Sequence, residues 1–195
     1  MEHKTAPKLP EAVELRRLAE LRSYNILDTG QEAAFDDVSK LASMICGTSM
    51  ALVSFVDADR QWFKAEVGLG LRQTPIESSI CAHAILQGDV LVVPDTTRDL
   101  RFAHNPLVLD NPHLRFYAGA VLRTPGGIAL GTVCVLDTVA RNITPDQKEA
   151  LRLLSRQVMT QLELGKQLHL SEQTNECHAR QLARLEAALE ISSSR

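Results

Sequence analysis

Residues 114–137, LRFYAGAVLRTPGGIALGTVCVLD, constrain the fold more than any other stretch of this chain. The TPGG at 124–127 predicts a tight turn, because proline presets one φ and glycine accepts the positive φ that hairpins need. The arms on either side are apolar, small and β-branched, as in strands buried on both faces. Gly119 and Gly131 lie inside these arms, where glycine is expected only if another backbone or a ligand comes close. We therefore predict the central hairpin of a sheet that is covered on both faces.

The composition indicates an ordinary globular protein. The 195 residues are enough for one domain and an appendage, and the hydrophobic and charged fractions are 45% and 23%. A net charge of −3 without a basic block argues against nucleic acid as a partner. No apolar run is long enough to span a bilayer, and the first residues, MEHKTAPKLPE, lack the apolar core of a signal peptide, so we expect a cytoplasmic location. The four cysteines are widely spaced, with no CxxC pair, and predict no metal site.

Helices and strands are mixed in the part of the chain before the hairpin. Thr29 and Glu32 are spaced as a capping box at the start of a helix that Gly47 ends. Ser78 or Ser79 can cap a short helix further on. The predicted elements are, in order, a helix over 11–23, a helix over about 30–46, strands over 50–57 and 61–67, a short helix over 80–86, a strand over 89–93 and a long loop over 96–113 with one helical turn. This order predicts an α+β fold with a mostly antiparallel sheet.

A long helix is predicted after the hairpin. Thr144 and Gln147 form a second capping box around Pro145, and no later proline interrupts the sequence. A heptad seam, polar at its centre, indicates a parallel coiled coil that dimerises, whereas the alternative is a helix that frays beyond the domain. The leucines predicted to face the partner are Leu154, Leu164, Leu168, Leu182, Leu185 and Leu189.

Six stretches of the chain carry a family resemblance. They are YNILDTGQEAAFDDVSKLAS, VSFVDADRQWFKAEVGL, SICAHAIL, VVPDTTRDLRFAHNPLV, LRFYAGAVL and ALGTVCVLD, and the resemblance that they carry covers about residues 15–165. In this order they resemble the GAF domain, a small-molecule sensing module of bacterial signalling proteins. The subgroup to which they are similar stands at the N-terminus of sensor histidine kinases and of cyclic di-GMP enzymes.

The resemblance implies a GAF-like fold, of the profilin-like or PAS-like type. Such a fold has a central, mostly antiparallel sheet of five to six strands, helices on both faces and a long C-terminal helix. The chain would then divide into a flexible lead-in over 1–10, a sensory domain over 11–165 and a helical signalling extension over 166–195. The first and last helices would pair in a homodimer. The exit helix would relay a signal to an output domain, in cis or in trans, such as a histidine kinase or a diguanylate cyclase.

The resemblance also implies a pocket for an unidentified small molecule, with no cofactor assigned, beneath the short helix and the long loop. The residues expected to line it are Phe63, Cys81, His83, Phe102, Asn105, Val108, Phe116, Tyr117 and Cys134. Four charged residues nearby are expected to stabilise the loop conformation by capping turns and forming ion pairs, rather than to bind a ligand. They are Asp95, Asp99, Arg101 and Arg115.

Two alternatives to a non-catalytic sensor stay open. One enzyme of this fold, the free methionine-(R)-sulfoxide reductase, needs a nucleophilic cysteine, for which Cys81 with Cys134 is the candidate pair. That family's glycine-rich cysteine segment and its Trp-x-Gly-Phe-Tyr strand are missing from this sequence, as are the GxSxG, P-loop and HExxH motifs. Cys81 and His83 diverge by about 200° on a helix, so they predict no joint metal or nucleophile site. The other alternative is a dimerisation scaffold whose pocket has collapsed, and we expect no catalytic residue in this chain.

Overall fold

Six antiparallel strands form one sheet. A computed structural model describes residues 9–193, and it describes the side chains of all of these except 182, 183 and 185–193. Residues 1–8 of the predicted lead-in therefore lie outside the described residues. The elements are α1 (Glu11–Ser23), α2 (Ala33–Cys46), β1 (Met50–Val56), β2 (Arg60–Val67), β3 (Gln73–Pro75), α3 (Ile80–Ala84), β4 (Val90–Val93), α4 (Pro106–Leu109), β5 (Phe116–Arg123), β6 (Ala129–Asp137) and α5 (Pro145–Ser193).

The predicted hairpin is confirmed as β5 and β6, in the interior of a sheet whose strand order is β3-β2-β1-β6-β5-β4. Every residue of β6 is buried, and so is every residue of β5 except Arg123. A Cβ atom on Gly131 would lie 1.9 Å from the carbonyl oxygen of Ser54 in β1, and one on Gly119 would lie 2.3 Å from the hydroxyl of Tyr117. The close approach of the β1 backbone explains Gly131, as the sequence predicts, whereas Gly119 makes room for the side chain of Tyr117 and not for a backbone.

The two faces of the sheet carry separate apolar cores, because successive residues of a strand point to opposite sides. We call the side covered by α1, α2 and α5 the helical face, and the side covered by α3, α4 and their connecting loop the loop face. The helical-face core includes Leu21, Phe35, Val38, Phe55, Trp62, Phe116, Leu151, Val158 and Leu162. The loop-face core includes Leu52, Phe63, Cys81, Phe102, Val108, Tyr117 and Cys134. This layered arrangement confirms the predicted α+β fold, with helices on both faces of an antiparallel sheet.

The capping predictions have mixed outcomes. Thr144 and Gln147 exchange hydrogen bonds of 3.0 and 3.2 Å at the start of α5, so this capping box is confirmed. Gly47 ends α2 with a left-handed φ of 64°, also as predicted. The capping box at Thr29 and Glu32 is wrong, because α2 begins at Ala33 without a side-chain cap and both side chains bind a lysine on β2.

The long helix α5 has a packed first part and an exposed continuation. Leu151, Val158 and Leu162 are buried in the helical-face core. Leu154, which the sequence predicts to face a partner copy, packs partly buried against the core of its own chain. Leu164 and Leu168 are 61% and 63% exposed. The side chains of three further predicted seam residues, Leu182, Leu185 and Leu189, lie outside the described residues. Within residues 9–193, no helix combines the length and apolarity needed to cross a bilayer.

Candidate functional site

A buried polar cluster occupies the loop face where α3 meets the sheet. The Ser79 hydroxyl caps α3 by accepting a 2.9 Å hydrogen bond from the Ala82 amide, which fixes the start of this short helix over β6. Cys81 and Cys134 are 1% and 0% exposed, and their Sγ atoms lie 3.8 Å apart. We call this group the thiol cluster, and its members are Ser54, Gln61, Ser79, Cys81, Tyr117, Thr132 and Cys134.

Three side chains donate hydrogen bonds to Cys81 Sγ. Gln61 Nε2 and Thr132 Oγ1 each lie 3.1 Å from it, and the Tyr117 hydroxyl lies 3.3 Å away. Gln61 is itself held in place, because its Nε2 donates to Ser54 Oγ at 3.1 Å and its Oε1 accepts from the Ser79 hydroxyl. An acceptor with several fixed donors is a place where negative charge is stabilised.

The pKa values of the two cysteine thiols are shifted in opposite directions. Burial opposes ionisation of Cys81, but hydrogen bonds, among them those with Cys134, Thr132 and Tyr117, outweigh it and bring the pKa of the Cys81 thiol below its usual range. Burial raises the pKa of Cys134, and the hydrogen bond to Cys81 and the charge of Cys81 raise it further. The pair therefore favours a thiolate at Cys81 beside a thiol at Cys134. The thiolate is the form in which a cysteine is nucleophilic.

The predicted pocket is nearly closed in this conformation. A cavity of about 20 Å³ lies beside Cys81, between the sheet and the loop-face residues. Its lining includes Gln61, Thr74, Leu107 and Tyr117. A cavity of this volume accommodates about one water molecule. A metabolite the size of methionine sulfoxide needs an outward movement of α3 or of the loop before it can reach Cys81.

Most of the predicted pocket residues lie on the loop face, with one exception. Phe63, Phe102, Val108 and Tyr117 belong to the loop-face core together with the two cysteines. Phe116 belongs to the helical-face core, so its prediction as a pocket residue is corrected. The physical reason is the alternation of side chains along β5, since Tyr117 already occupies the loop face.

His83 and Asn105 lie on the loop face with structural contacts. The ring of His83 meets that of Phe102 edge-on at 4.9 Å between centroids. Burial first, and then the charge of Arg101, lower the pKa of His83. The Asn105 amide donates to the Ser78 carbonyl at 3.0 Å, and its oxygen caps α4 by accepting from the Leu107 amide at 2.9 Å. Asn105 therefore joins the long loop to the segment that precedes α3.

Three of the four charged loop residues make the predicted turn caps or ion pairs, whereas Arg115, within the described part of the chain, binds backbone carbonyl oxygens and no carboxylate. Asp95 accepts from both the amide and the hydroxyl of Thr97, at 3.0 and 2.6 Å. Asp99 and Arg101 form a two-pronged ion pair at 2.9 and 2.6 Å, and this partner lowers the pKa of Asp99. Arg115 donates to the carbonyl oxygens of Val108 and Leu114, both at 2.9 Å. These bonds hold the loop in its path across the sheet.

Sequence reasoning missed Ser54, Gln61 and Thr132. All three are buried polar residues inside strands, and such residues need partners within the core. That need is the signal that was available, since Ser54 interrupts VSFV and Thr132 interrupts LGTVCV. The spacing along the chain does not show that these residues converge on one sulfur atom, because the convergence depends on strand register.

Comparison with known proteins establishes the family. The model of the GAF domain matches residues 30–162, and the chain belongs to this family. Over 157 residues it is 40% identical to a cyclic di-GMP phosphodiesterase of Pseudomonas aeruginosa. The aligned region covers 80% of this chain and 27% of that protein. The chain thus spans about a quarter of the length of this relative.

Solved structures share the fold at low sequence identity. The blue-light absorbing form of the PixJ GAF domain of Thermosynechococcus elongatus has a TM-score of 0.56 and 16% identity, covering 87% of this chain and 96% of that one. The free methionine-R-sulfoxide reductase of Neisseria meningitidis, in complex with its substrate, has a TM-score of 0.57 and 14% identity. The match covers 86% of this chain and 99% of the reductase chain. At such identities the likeness establishes the fold and leaves ligand and activity to be argued from the site.

Proposed function

We propose that this chain is the regulatory sensory domain of a cyclic di-GMP signalling protein, and that α5 relays its conformational state to an output domain. The observation that carries the proposal is the continuity of α5. One helix packs through Leu151, Val158 and Leu162 on the sheet and then continues beyond the core with Leu164 and Leu168 exposed. A rigid helix anchored at the sensing sheet transmits a displacement along its axis. The boundary between the domain and the signalling extension then lies near residue 165.

The identified relative supports the class of output. A protein named as a cyclic di-GMP phosphodiesterase is 40% identical to this chain over 157 residues, and 73% of that protein lies outside the match (100 − 27). A catalytic part outside the match and a regulatory part inside it is the arrangement that we propose. We expect a cytoplasmic location, where thiols stay reduced, because Cys46, Cys81, Cys134 and Cys177 are unbridged.

The proposed partner is a second copy of this chain, through α1 and α5. Leu15 on α1 is 62% exposed, and Leu164 and Leu168 on α5 are exposed to a similar degree. Leu164 and Leu168 lie four residues apart and therefore on the same side of the helix. A parallel coiled coil over 166–195 would cover such leucines and place two output domains side by side.

A helix-phase experiment tests the relay. The chain replaces its matching segment in the Pseudomonas phosphodiesterase, and cyclic di-GMP hydrolysis is measured for the chimera. A four-residue insertion after Gly165 rotates everything that follows by about one-tenth of a turn and shifts a heptad seam out of register, whereas a seven-residue insertion keeps the seam. We expect the first insertion to change hydrolysis severalfold and the second to leave it near the parent. Equal activity in all three proteins would contradict a relay through α5.

The closed cavity favours one second candidate, the dimerisation scaffold without a ligand. A volume of about 20 Å³ leaves no room for a metabolite in this conformation. Native mass spectrometry of the protein as purified from its own host separates the candidates. A non-covalent mass that disappears on denaturation supports the ligand-binding sensor, whereas a bare homodimer supports the scaffold.

A further inference from the structure

We propose that Cys81 and Cys134 form a peroxide-reactive thiol pair, in which hydrogen peroxide oxidises Cys81 and Cys134 then closes a disulfide. The site is independent of the proposed relay, because it rests on the thiol cluster alone. Only its consequence for an output domain rests on the proposed function.

The geometry places the two sulfur atoms within reach of a bond. Their separation of 3.8 Å has to shrink to about 2.05 Å. Cys134 is fixed in the centre of the sheet, where it is paired in register with Leu52 on one side and Gly119 on the other. Cys81 lies on the five-residue helix α3, which the sheet does not hold by strand pairing. A small movement of α3 with rotation about the side-chain torsions of Cys81 closes the gap.

The hydrogen bonds distinguish a nucleophile from a resolving thiol. Cys81 receives bonds from Gln61, Thr132 and Tyr117, which stabilise the thiolate that attacks a peroxide. The shifts in pKa run in the same sense, downward for Cys81 and upward for Cys134. Cys134 therefore retains its proton until Cys81 has been oxidised.

The cavity beside Cys81 supplies a place for the oxidant. It measures about 20 Å³, room for about one water molecule, so a slight widening admits hydrogen peroxide, which has one oxygen atom more than water. Thr74 lines the same cavity, is 5% exposed, and has an Oγ1 atom with no hydrogen-bond partner among the described residues. A buried hydroxyl without a partner indicates a small polar molecule at that position. Bulkier oxidants are excluded by the apolar side chains that complete the lining, among them Phe63 and Leu107.

The chemistry balances with hydrogen peroxide as the named oxidant. The Cys81 thiolate attacks one peroxide oxygen and breaks the O–O bond, and the hydroxide that leaves takes a proton to become water. Cys81 is then a sulfenic acid. The Cys134 sulfur attacks the Cys81 sulfur, the S–S bond forms, and the sulfenic hydroxyl leaves as water with the Cys134 proton. Two thiols lose two electrons in total, and one peroxide is reduced to two waters.

The other two cysteines, Cys46 and Cys177, can be replaced so that only the proposed pair reacts in the test. Cys46 is buried, and burial raises its pKa to about 11, which suppresses its reaction. Cys177 is exposed on α5 and could link two copies of the chain. A protein carrying Cys46→Ser and Cys177→Ser retains only the proposed pair.

The experiment treats this reduced background protein with hydrogen peroxide and follows its intact mass. We expect a loss of about two mass units, a non-reduced peptide that joins Cys81 to Cys134, and reversal by dithiothreitol. With Cys134→Ser added, we expect dimedone to label a sulfenic acid at Cys81 when the peroxide-treated protein is unfolded in its presence, because the folded site admits no molecule of that size. Thr132→Val should slow the reaction about tenfold, because one donor to the thiolate is lost. Thr132→Ser should restore the rate, and Thr160→Val, at an exposed threonine of α5, is the matched control.

Several outcomes would overturn the proposal. They are an unchanged mass, a link absent from the peptide map, dimedone labelling that misses Cys81, or equal rates for Thr132→Val and Thr132→Ser in folded protein. A rate that rises in proportion to unfolding in low urea would overturn it too, because the thiols would then react only in the unfolded chain. The phosphodiesterase chimera is not used, so failure of the thiol pair and failure of the relay are separate results.

Discussion

The ammonium group of Lys64 lies 2.5 Å from the carboxylate of Glu32, with the lysine side chain fully buried and the glutamate side chain 56% exposed. Lys64 Nζ also donates to Thr29 Oγ1 and to the Gly30 carbonyl oxygen, both at 2.7 Å. It lies 5.3 Å from the centroid of the Phe35 ring, in a cation–π contact. One charged residue of β2 thus fixes the connector between α1 and α2 against the helical face.

Replacing Lys64 tests this anchoring role. Lys64→Met keeps much of the buried stem but leaves the Gly30 carbonyl without its donor and removes the ion pair. We expect a loss of about 2–4 kcal/mol in the free energy of unfolding, measured by urea denaturation. Lys40→Met is the matched control, because Lys40 is exposed and its pairing with Asp37 is weak, so its effect should stay within about 0.5 kcal/mol. Equal effects of the two substitutions would show that Lys64 does not anchor the connector.

This connector also shows where sequence reasoning stops. Local signals were sufficient for the β5–β6 hairpin, for Gly47 and for the Thr144 capping box, since the residues that decide them lie within a few positions of one another. The capping box at Thr29 failed because Lys64, more than thirty residues away, competes for the same side chains. Local propensity gives way when tertiary contacts satisfy the polar groups differently.

The candidate site divides in the same way. Cys81 and Cys134 were recognisable as candidates from residue type and family resemblance. The donors Gln61 and Thr132 were not, because their approach to one sulfur requires the register of β1, β2 and β6 and the docking of α3. The prediction of Phe116 as a pocket residue is wrong because neighbouring residues of a strand lie on opposite faces, so a one-residue choice reverses the side.

Acid should destabilise the folded domain through His83. Its pKa is lowered in the folded state by burial and by Arg101, so the unfolded chain, with a pKa near 6.5, binds a proton first as the pH falls. Stability is therefore present above about pH 6.5 and is lost below it. We expect the free energy of unfolding to fall more between pH 7 and pH 5 in the wild type than in His83→Gln. Parallel curves for the two proteins would contradict a neutral, partly buried imidazole.

Two glycine-to-alanine substitutions should change the free energy of unfolding in opposite directions. Gly131→Ala places a Cβ atom 1.9 Å from the Ser54 carbonyl oxygen and 2.9 Å from the Phe55 Cα atom, and both are backbone atoms in the middle of the sheet. We expect a loss of more than about 3 kcal/mol, seen as a lowered urea midpoint or as insoluble protein. Gly165→Ala in α5 meets nothing within 4 Å and should stabilise the protein by about 0.5–1 kcal/mol. Similar midpoints for the two variants would show that β1 does not approach Gly131 closely.

Alkali should release the contact between Tyr24, which follows α1, and α5. The Tyr24 hydroxyl donates to Glu163 at 2.5 Å, and burial, the bond to Glu163 and its charge raise the pKa of the phenol in the folded state. The unfolded phenol ionises near pH 10, so the stability from this bond is complete below that pH and is lost as the pH rises above it.

At pH 8 we expect Tyr24→Phe to be less stable than the wild type by about 1 kcal/mol, and at pH 11 we expect this difference to vanish or reverse. Tyr117 is present in both proteins, so its titration cancels in the difference, which urea denaturation at the two pH values measures. A difference that stays constant between pH 8 and pH 11 would contradict a hydrogen bond from Tyr24 to Glu163.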